Sequence, residues 1–282
     1  MGRRVRRAAL FAMAGGWLAA TAAQAAPLPR IASTNVCTDQ LLMTLADPPQ
    51  IAGLSPYSRD PAQSWLAAEA HRFRKLSGNA EDLLMLRPDL VVSGSYDKRA
   101  TRELLKQQGV HLVAFNVVPE SLDEVKAQIR QMAALTGHPD RAAAEVARLD
   151  QAIAGARRAV AQKPLKVLPL WRRGWVSGQG SLINLLFAEI GLANAAGDLG
   201  IASGGFASLE AIIKARPDLI LVADGGDFAE DEGTALLLHP ALEKFYPASK
   251  RIIIPERLTV CGGVMLADAL DLLVKELARV AR

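Results

Sequence analysis

The 282-residue chain has only two cysteines, Cys37 and Cys261, and four histidines, His71, His111, His138 and His239, scattered along its length. There is no C-x-x-C pair, which excludes a zinc ribbon or a thioredoxin-type redox motif. A bare-metal receptor needs a compact set of histidines and carboxylates. None is legible: His111 falls at the start of an expected strand and His138 in a turn, so no metal site is expected. Aromatic residues make up 5% of the chain. Glycine-rich stretches occur at 197–200 (GDLG) and 203–205 (SGG), but neither forms a G-x-G-x-x-G after a strand or a G-x-x-x-x-G-K-[ST]. Dinucleotide and phosphate-loop chemistry are thereby disfavoured. A G-x-S-x-G nucleophile elbow is also missing, so an enzyme is not expected.

Long apolar runs are missing too. The one near the N-terminus is about a dozen residues, too short to span a bilayer comfortably. It follows Arg3, Arg4, Arg6 and Arg7 and precedes Ala23-Gln24-Ala25, a small-x-small cleavage pattern. This predicts a secretory signal over residues 1–25, removed on export to the periplasm by the ordinary secretion route. No cysteine follows it, so a lipoprotein anchor is not expected. The formal net charge is +4, and those four arginines carry as much, leaving the remainder close to neutral. Nucleic-acid binding therefore gains no support from charge.

What is present, from Arg30 onward, is an alternation of short β-rich runs with helical stretches, the mark of an α/β fold. Strands are expected at 31–33, 51–54, 90–93, 110–116, 165–170, 219–223 and 251–254. Helices are expected at 38–46, 80–86, 101–108, 121–135, 181–190, 209–215 and 264–281. Ser121 and Glu124 form a capping-box pattern. The alanine-rich stretch 139–162 opens on Pro139, suited to a first helical turn. As a helix it would be about 36 Å long, enough to span two units. The segment around 195–206 (AAGDLGIASGGF) reads as a glycine-rich loop.

One pattern repeats. Residues 81–93 read EDLLMLRPDLVVS and residues 210–222 read EAIIKARPDLILV. Each is a glutamate, an apolar helical turn, Arg-Pro-Asp-Leu, and a buried β-run. Proline stops each helix and biases the residue before it out of the right-handed helical region. One copy per half implies two similar lobes joined by the long helix: an N-terminal α/β lobe over 27–118, a helical linker region over 119–164, and a C-terminal α/β lobe over 165–282.

With RIASTNVCTDQLL at the start, LTGHPDRAAAEVARL at the linker, SGQGSLINLLFAEIGLANAAG and HPALEKFYPASKRIIIPERL in the second half, this order resembles the helical-linker class of periplasmic binding proteins, the Fe/cobalamin-binding domain family. The resemblance covers about residues 30–282. It implies two Rossmann-like lobes bridged by one rigid α-helix, with the ligand cleft between them. It further implies a monomer that carries an intact metal chelate, a ferric siderophore or cobalamin, to the permease of an ABC importer, with no intrinsic cofactor. Heme, bare metal, or a sensory role uncoupled from import are the alternatives. In cobalamin-binding relatives, glutamates at the repeat positions dock onto permease arginines; the resemblance carries that role to Glu81 and Glu210, with Asp82 in reserve. An acidic residue in a first helical turn is also explained by the helix dipole alone.

In doubly wound lobes, ligands meet the loops at the carboxyl ends of strands. Those loops hold Asn35, Tyr57, Arg59, Tyr96, Trp171, Arg172, Trp175, Asp224, Arg257 and Cys261. Aromatics and arginines suit a large planar or anionic ligand, with Trp175 and Tyr96 foremost. Trp65 is expected to belong to the loop-to-helix packing after Pro61. For Cys37 and Cys261 three readings stand: a disulfide across the cleft, two separate buried thiols, or a thiol touching the bound chelate.

Overall fold

The computed structural model describes residues 27–161, 165–223 and 233–280. The expected signal segment 1–25, the end of the linker stretch at 162–164, and Asp224 lie outside the described residues.

The first half runs β1 (Ile31–Ser33), α1 (Val36–Leu45), β2 (Ile51–Gly53), α2 (Ala80–Leu86), β3 (Leu90–Gly94), α3 (Arg99–Gln107), β4 (Leu112–Phe115) and α4 (Leu122–Thr136). Its strands form one parallel sheet in the order β2-β1-β3-β4. After α5 (Pro139–Val160) come β5 (Lys166–Pro169), β6 (Trp175–Ser177), α6 (Leu182–Ile190), β7 (Ala193–Asn194), β8 (Gly204–Phe206), α7 (Leu209–Ala215), β9 (Leu219–Val222), α8 (Pro240–Phe245), β10 (Arg251–Ile253) and α9 (Leu266–Val280). The second parallel sheet, read from β7, has the order β7-β5-β9-β10, the same winding as the first.

The repeat seen in the sequence reappears as the same helix–turn–strand unit in each half. Helix α2 ends at Arg87 and α7 at Arg216, both left-handed at φ 45° and 49°. This conformation is disfavoured for a residue with a Cβ, but the following proline disfavours the right-handed alternative. The next aspartate then closes the turn identically in each lobe. Asp89 Oδ2 accepts from the Arg30 backbone N–H at 2.8 Å, and Asp218 Oδ2 accepts from that of Lys166 at 2.8 Å. The turn thus sets the register of β3 on β1 and of β9 on β5.

Helix α5 joins the lobes. Gly137, left-handed at φ 78°, ends α4, and Pro139 opens α5. Its buried residues Ala142, Val146, Leu149, Ile153, Ala156 and Val160 recur at helical spacing. They belong to one apolar cluster that includes Val92 of the first sheet and Val167 and Leu221 of the second. Helices α4, α6 and α9 pack on α5. Separate clusters cover the other face of each sheet, around Leu83 and Val91 in the first and Leu168 and Ile220 in the second.

Several details differ from the sequence reading. Helix α1 begins at Val36 rather than Thr38, because Asn35 caps it: its Oδ1 accepts from the Cys37 backbone N–H at 2.8 Å. The Ser121 hydroxyl accepts from the Glu124 N–H at 3.1 Å, but the Glu124 carboxylate accepts from the Glu120 N–H, not that of Ser121. The stretch read as a glycine-rich loop contains a 3-10 turn at Ala195–Leu199 and strand β8, which pairs antiparallel with β6. Among the described residues no helix is long and apolar enough to cross a membrane.

Candidate functional site

A covalent bond links the carboxyl-end loops of the two sheets. Cys37 lies in the first turn of α1, just beyond the end of β1, and Cys261 follows β10. The structure joins them as a disulfide, Cα to Cα 5.3 Å, over a sequence separation of 224. The Arg257 guanidinium also donates to the Pro61 carbonyl at 3.5 Å, from the second half to the first. Loops at the carboxyl ends of both sheets therefore meet on one side of the molecule.

At the carboxyl end of the first sheet the loops are tied by a polar network. Asn35 Nδ2 donates to Asp97 Oδ1 at 2.9 Å, and Asp97 Oδ2 accepts from the Thr34 hydroxyl at 2.8 Å and the Gly94 N–H at 2.9 Å. Gly94 is required here, since a Cβ would stand 2.7 Å from Asn35 Nδ2. Asn35 thus uses one end of its amide to cap α1 and the other to hold Asp97. Beneath the network, Asp39 is fully buried; its carboxylate accepts from the Ser55 N–H at 3.0 Å and the Ser55 hydroxyl at 2.5 Å. Burial lifts this carboxyl to about 7, against the hydrogen bonds from Ser33 and Ser55 that favour its charged form. Ser55 starts the loop that carries Tyr57, which is 53% exposed. Arg59 turns inward, donating from Nη2 to the Phe73 carbonyl at 2.7 Å. Tyr96, beyond β3, is 77% exposed. Trp65 is partly buried against the core, and its backbone N–H donates to Gln40 Oε1 at 3.0 Å.

On the second lobe the β6–β8 ribbon rises beyond β5. Trp171 is held by a bond from its indole N–H to the Ser177 hydroxyl at 2.7 Å and by its backbone N–H to the Trp175 carbonyl at 2.7 Å. Trp175 meets Phe206 edge to face, centroids 5.1 Å apart at 76°. Both rings reach solvent, at 40% and 69% exposure. Trp175 lies over Gly204, where a Cβ would come within 2.6 Å of the indole. A cavity of about 150 Å³ opens between Trp171, Trp175, Leu182, Glu256 and Val260. Arg172 sits in the 3-10 turn Arg172–Gly174 that leads into the ribbon.

Phe206 and Val260 were not among the residues read from sequence. Phe206 sits in the glycine-rich stretch, and only its pairing across β6 places it beside Trp175. Glu81 and Glu210 are both exposed in the first turns of their helices. Hydrogen bonds from its own backbone N–H and the Ser208 hydroxyl hold the Glu210 carboxyl below its ordinary range. Asp82 accepts from the Ser77 N–H at 2.5 Å and so ties the first turn of α2 to the segment before it. A larger concavity, about 1780 Å³, lies elsewhere, along α7 and α9 at the amino ends of β5 and β9. Ligands of parallel sheets sit at the opposite ends, so size does not make it the site. No group of three or more His, Cys, Asp or Glu residues that could hold a metal ion occurs among the described residues.

Comparison with known proteins agrees with this architecture. Among solved structures, the periplasmic heme-binding protein RhuT from Roseiflexus sp. RS-1, in apo form, superposes with a TM-score of 0.70 at 26% identity, over 91% of this chain and 100% of that one. The periplasmic heme-binding protein BhuT in complex with two hemes gives 0.71 at 23% identity, over 90% and 99%. The periplasmic vitamin B12 binding protein BtuF of Vibrio cholerae gives 0.66 at 18% identity, over 91% and 99%. Curated protein sequences yield no match. A family model described as periplasmic binding protein matches residues 31–253. With its duplicated lobes, bridging helix and intervening cleft, the chain belongs to the periplasmic binding protein family.

Proposed function

We propose that this protein captures a bulky, preassembled metal chelate, a cobalamin-type corrinoid or a ferric siderophore, in the periplasm and hands it intact to an ABC importer. The observation that carries the reading is the Trp175–Phe206 pair, two large rings left in solvent at the carboxyl end of the second sheet. Exposed aromatic surface at a strand-end cleft is favourable when a ligand covers it. Tyr57 and Tyr96 add phenol groups from the first lobe, with Trp171, Arg172 and Arg257 on the second. Heme is the second reading, favoured by the heme-binding relatives and by these two exposed phenols, a ligand type used for heme iron.

Quenching of tryptophan fluorescence in the mature protein, titrated in turn with cyanocobalamin, a ferric hydroxamate and hemin, tests this. One of the three should saturate at micromolar concentration or below. Trp175→Ala and Phe206→Ala should each weaken that binding about ten- to hundredfold, the loss typical of a central aromatic anchor. If none saturates below millimolar, the chelate reading fails.

Glu81 and Glu210 serve as the acidic contacts for the permease. The variant carrying both Glu81→Ala and Glu210→Ala should keep its cargo affinity while uptake in cells falls at least tenfold. Equal loss of both would place the two glutamates in cargo binding instead. Charges at such a rim act mainly on orientation and association rate.

A further inference from the structure

We infer that the Cys37–Cys261 disulfide is a redox-sensitive latch that fixes the separation of the two lobes across the cleft. Three observations converge on it. First, it is a second covalent link between the halves, at the strand-end side of the molecule, while α5 is the first. Two bodies joined at one place can hinge in several directions. Joined at two, they keep only rotation about the line through both.

Second, the segment around Cys261 is seated on the first lobe. Gly262 lies so close to Pro119 and Val125 that a Cβ would stand 2.3 Å from Pro119 Cγ, and a Cβ on Gly263 would meet Leu41 at 3.6 Å. Third, Gln40 is fully buried and bridges the latch to the cleft wall. Its Nε2 donates to Cys261 Sγ at 3.5 Å, and its Oε1 holds the Trp65 N–H at the end of the loop that carries Tyr57 and Arg59. The state of the bond is thereby coupled to the loop that would touch cargo.

The two sulfurs differ in access: Cys37 is partly exposed and Cys261 is fully buried. A dithiol reductant therefore enters at Cys37. Its thiolate attacks Cys37 Sγ, the bond to Cys261 breaks, and the electron pair leaves on Cys261 Sγ, facing the Gln40 amide. The second thiol of the reductant, as thiolate, then displaces Cys37. The reductant ends as a disulfide, two electrons poorer, and the protein as two thiols.

The latch is tested on the full mature chain as purified, after dithiothreitol treatment, and as the Cys37→Ser/Cys261→Ser variant. Thiol titration should find no free thiol before reduction and two after it. Small-angle scattering without cargo should show a larger radius of gyration, by several per cent, in the reduced protein and in the variant, with far-UV circular dichroism unchanged. This arm needs no knowledge of the cargo, so its failure is distinct from failure of the chelate reading. With cyanocobalamin, ferric hydroxamate or hemin, whichever binds, dissociation should quicken at least tenfold on reduction. Two free thiols in the purified protein, identical scattering in both redox states, or unfolding on reduction would each overturn the latch. The last would leave a purely structural staple.

Discussion

Asp39 shows how burial beneath the strand-end loops changes the chemistry of a single residue. The fold raises its carboxyl from an ordinary value near 3.8 to about 7, chiefly by burial. The protonated form is thus the one the fold prefers. Its stabilising effect is complete below pH 4 and is lost as pH rises through about 7. Replacing it by Asn keeps the shape and an acceptor for the Ser55 N–H while removing the titration. The melting temperature of the wild type should therefore fall relative to Asp39→Asn between pH 4 and pH 8; parallel profiles would contradict the assignment. Other single residues were harder to read from sequence. Asn35 reads as a ligand group because it follows a strand, and in the fold one end of its amide caps α1 while the other holds Asp97. Arg59 likewise turns toward Phe73. Residue type and strand-end position are legible in a sequence; the direction of a side chain depends on partners distant along the chain.

At the scale of elements, legibility followed locality. The helix predicted at 80–86 is α2, and that at 209–215 is α7, because an apolar turn followed by proline is decided within ten residues. The long helix expected at 139–162 is observed as Pro139–Val160. The β6–β8 ribbon was missed. Each strand has three residues, too few for an alternation signal, and their partners are about thirty positions apart. Yet the ribbon holds the Trp175–Phe206 pair, so its geometry should control binding. Gly178 permits that geometry, since a Cβ there would lie 2.5 Å from the Ala202 carbonyl oxygen, a backbone atom with little freedom to yield. Gly178→Ala should destabilise the protein by about 1–3 kcal/mol in denaturant unfolding, and cargo affinity should fall with it. Unchanged stability and binding would show the ribbon to be more compliant than this contact implies.

For the whole molecule, duplication was the most legible property and the pairing of distant surfaces the least. The Arg-Pro-Asp-Leu repeat foretold two lobes, and both sheets indeed wind in one order around equivalent aspartate-locked turns. The partnership of Cys37 with Cys261 could not be decided from spacing, because it depends on how the two lobes meet. Helix α5 packs into one apolar cluster that reaches both sheets, so the two halves share a continuous core along it. Cargo would then be selected by the shape and chemistry of a largely preformed cleft.

The most direct test of cargo binding between the lobes is anomalous X-ray diffraction from crystals of the mature protein saturated with whichever chelate it binds. The iron or cobalt peak should appear between the carboxyl ends of the two sheets, with the chelate against Trp175 and Phe206. A peak in the groove along α7 and α9, or on any outer face of either lobe, would contradict the account.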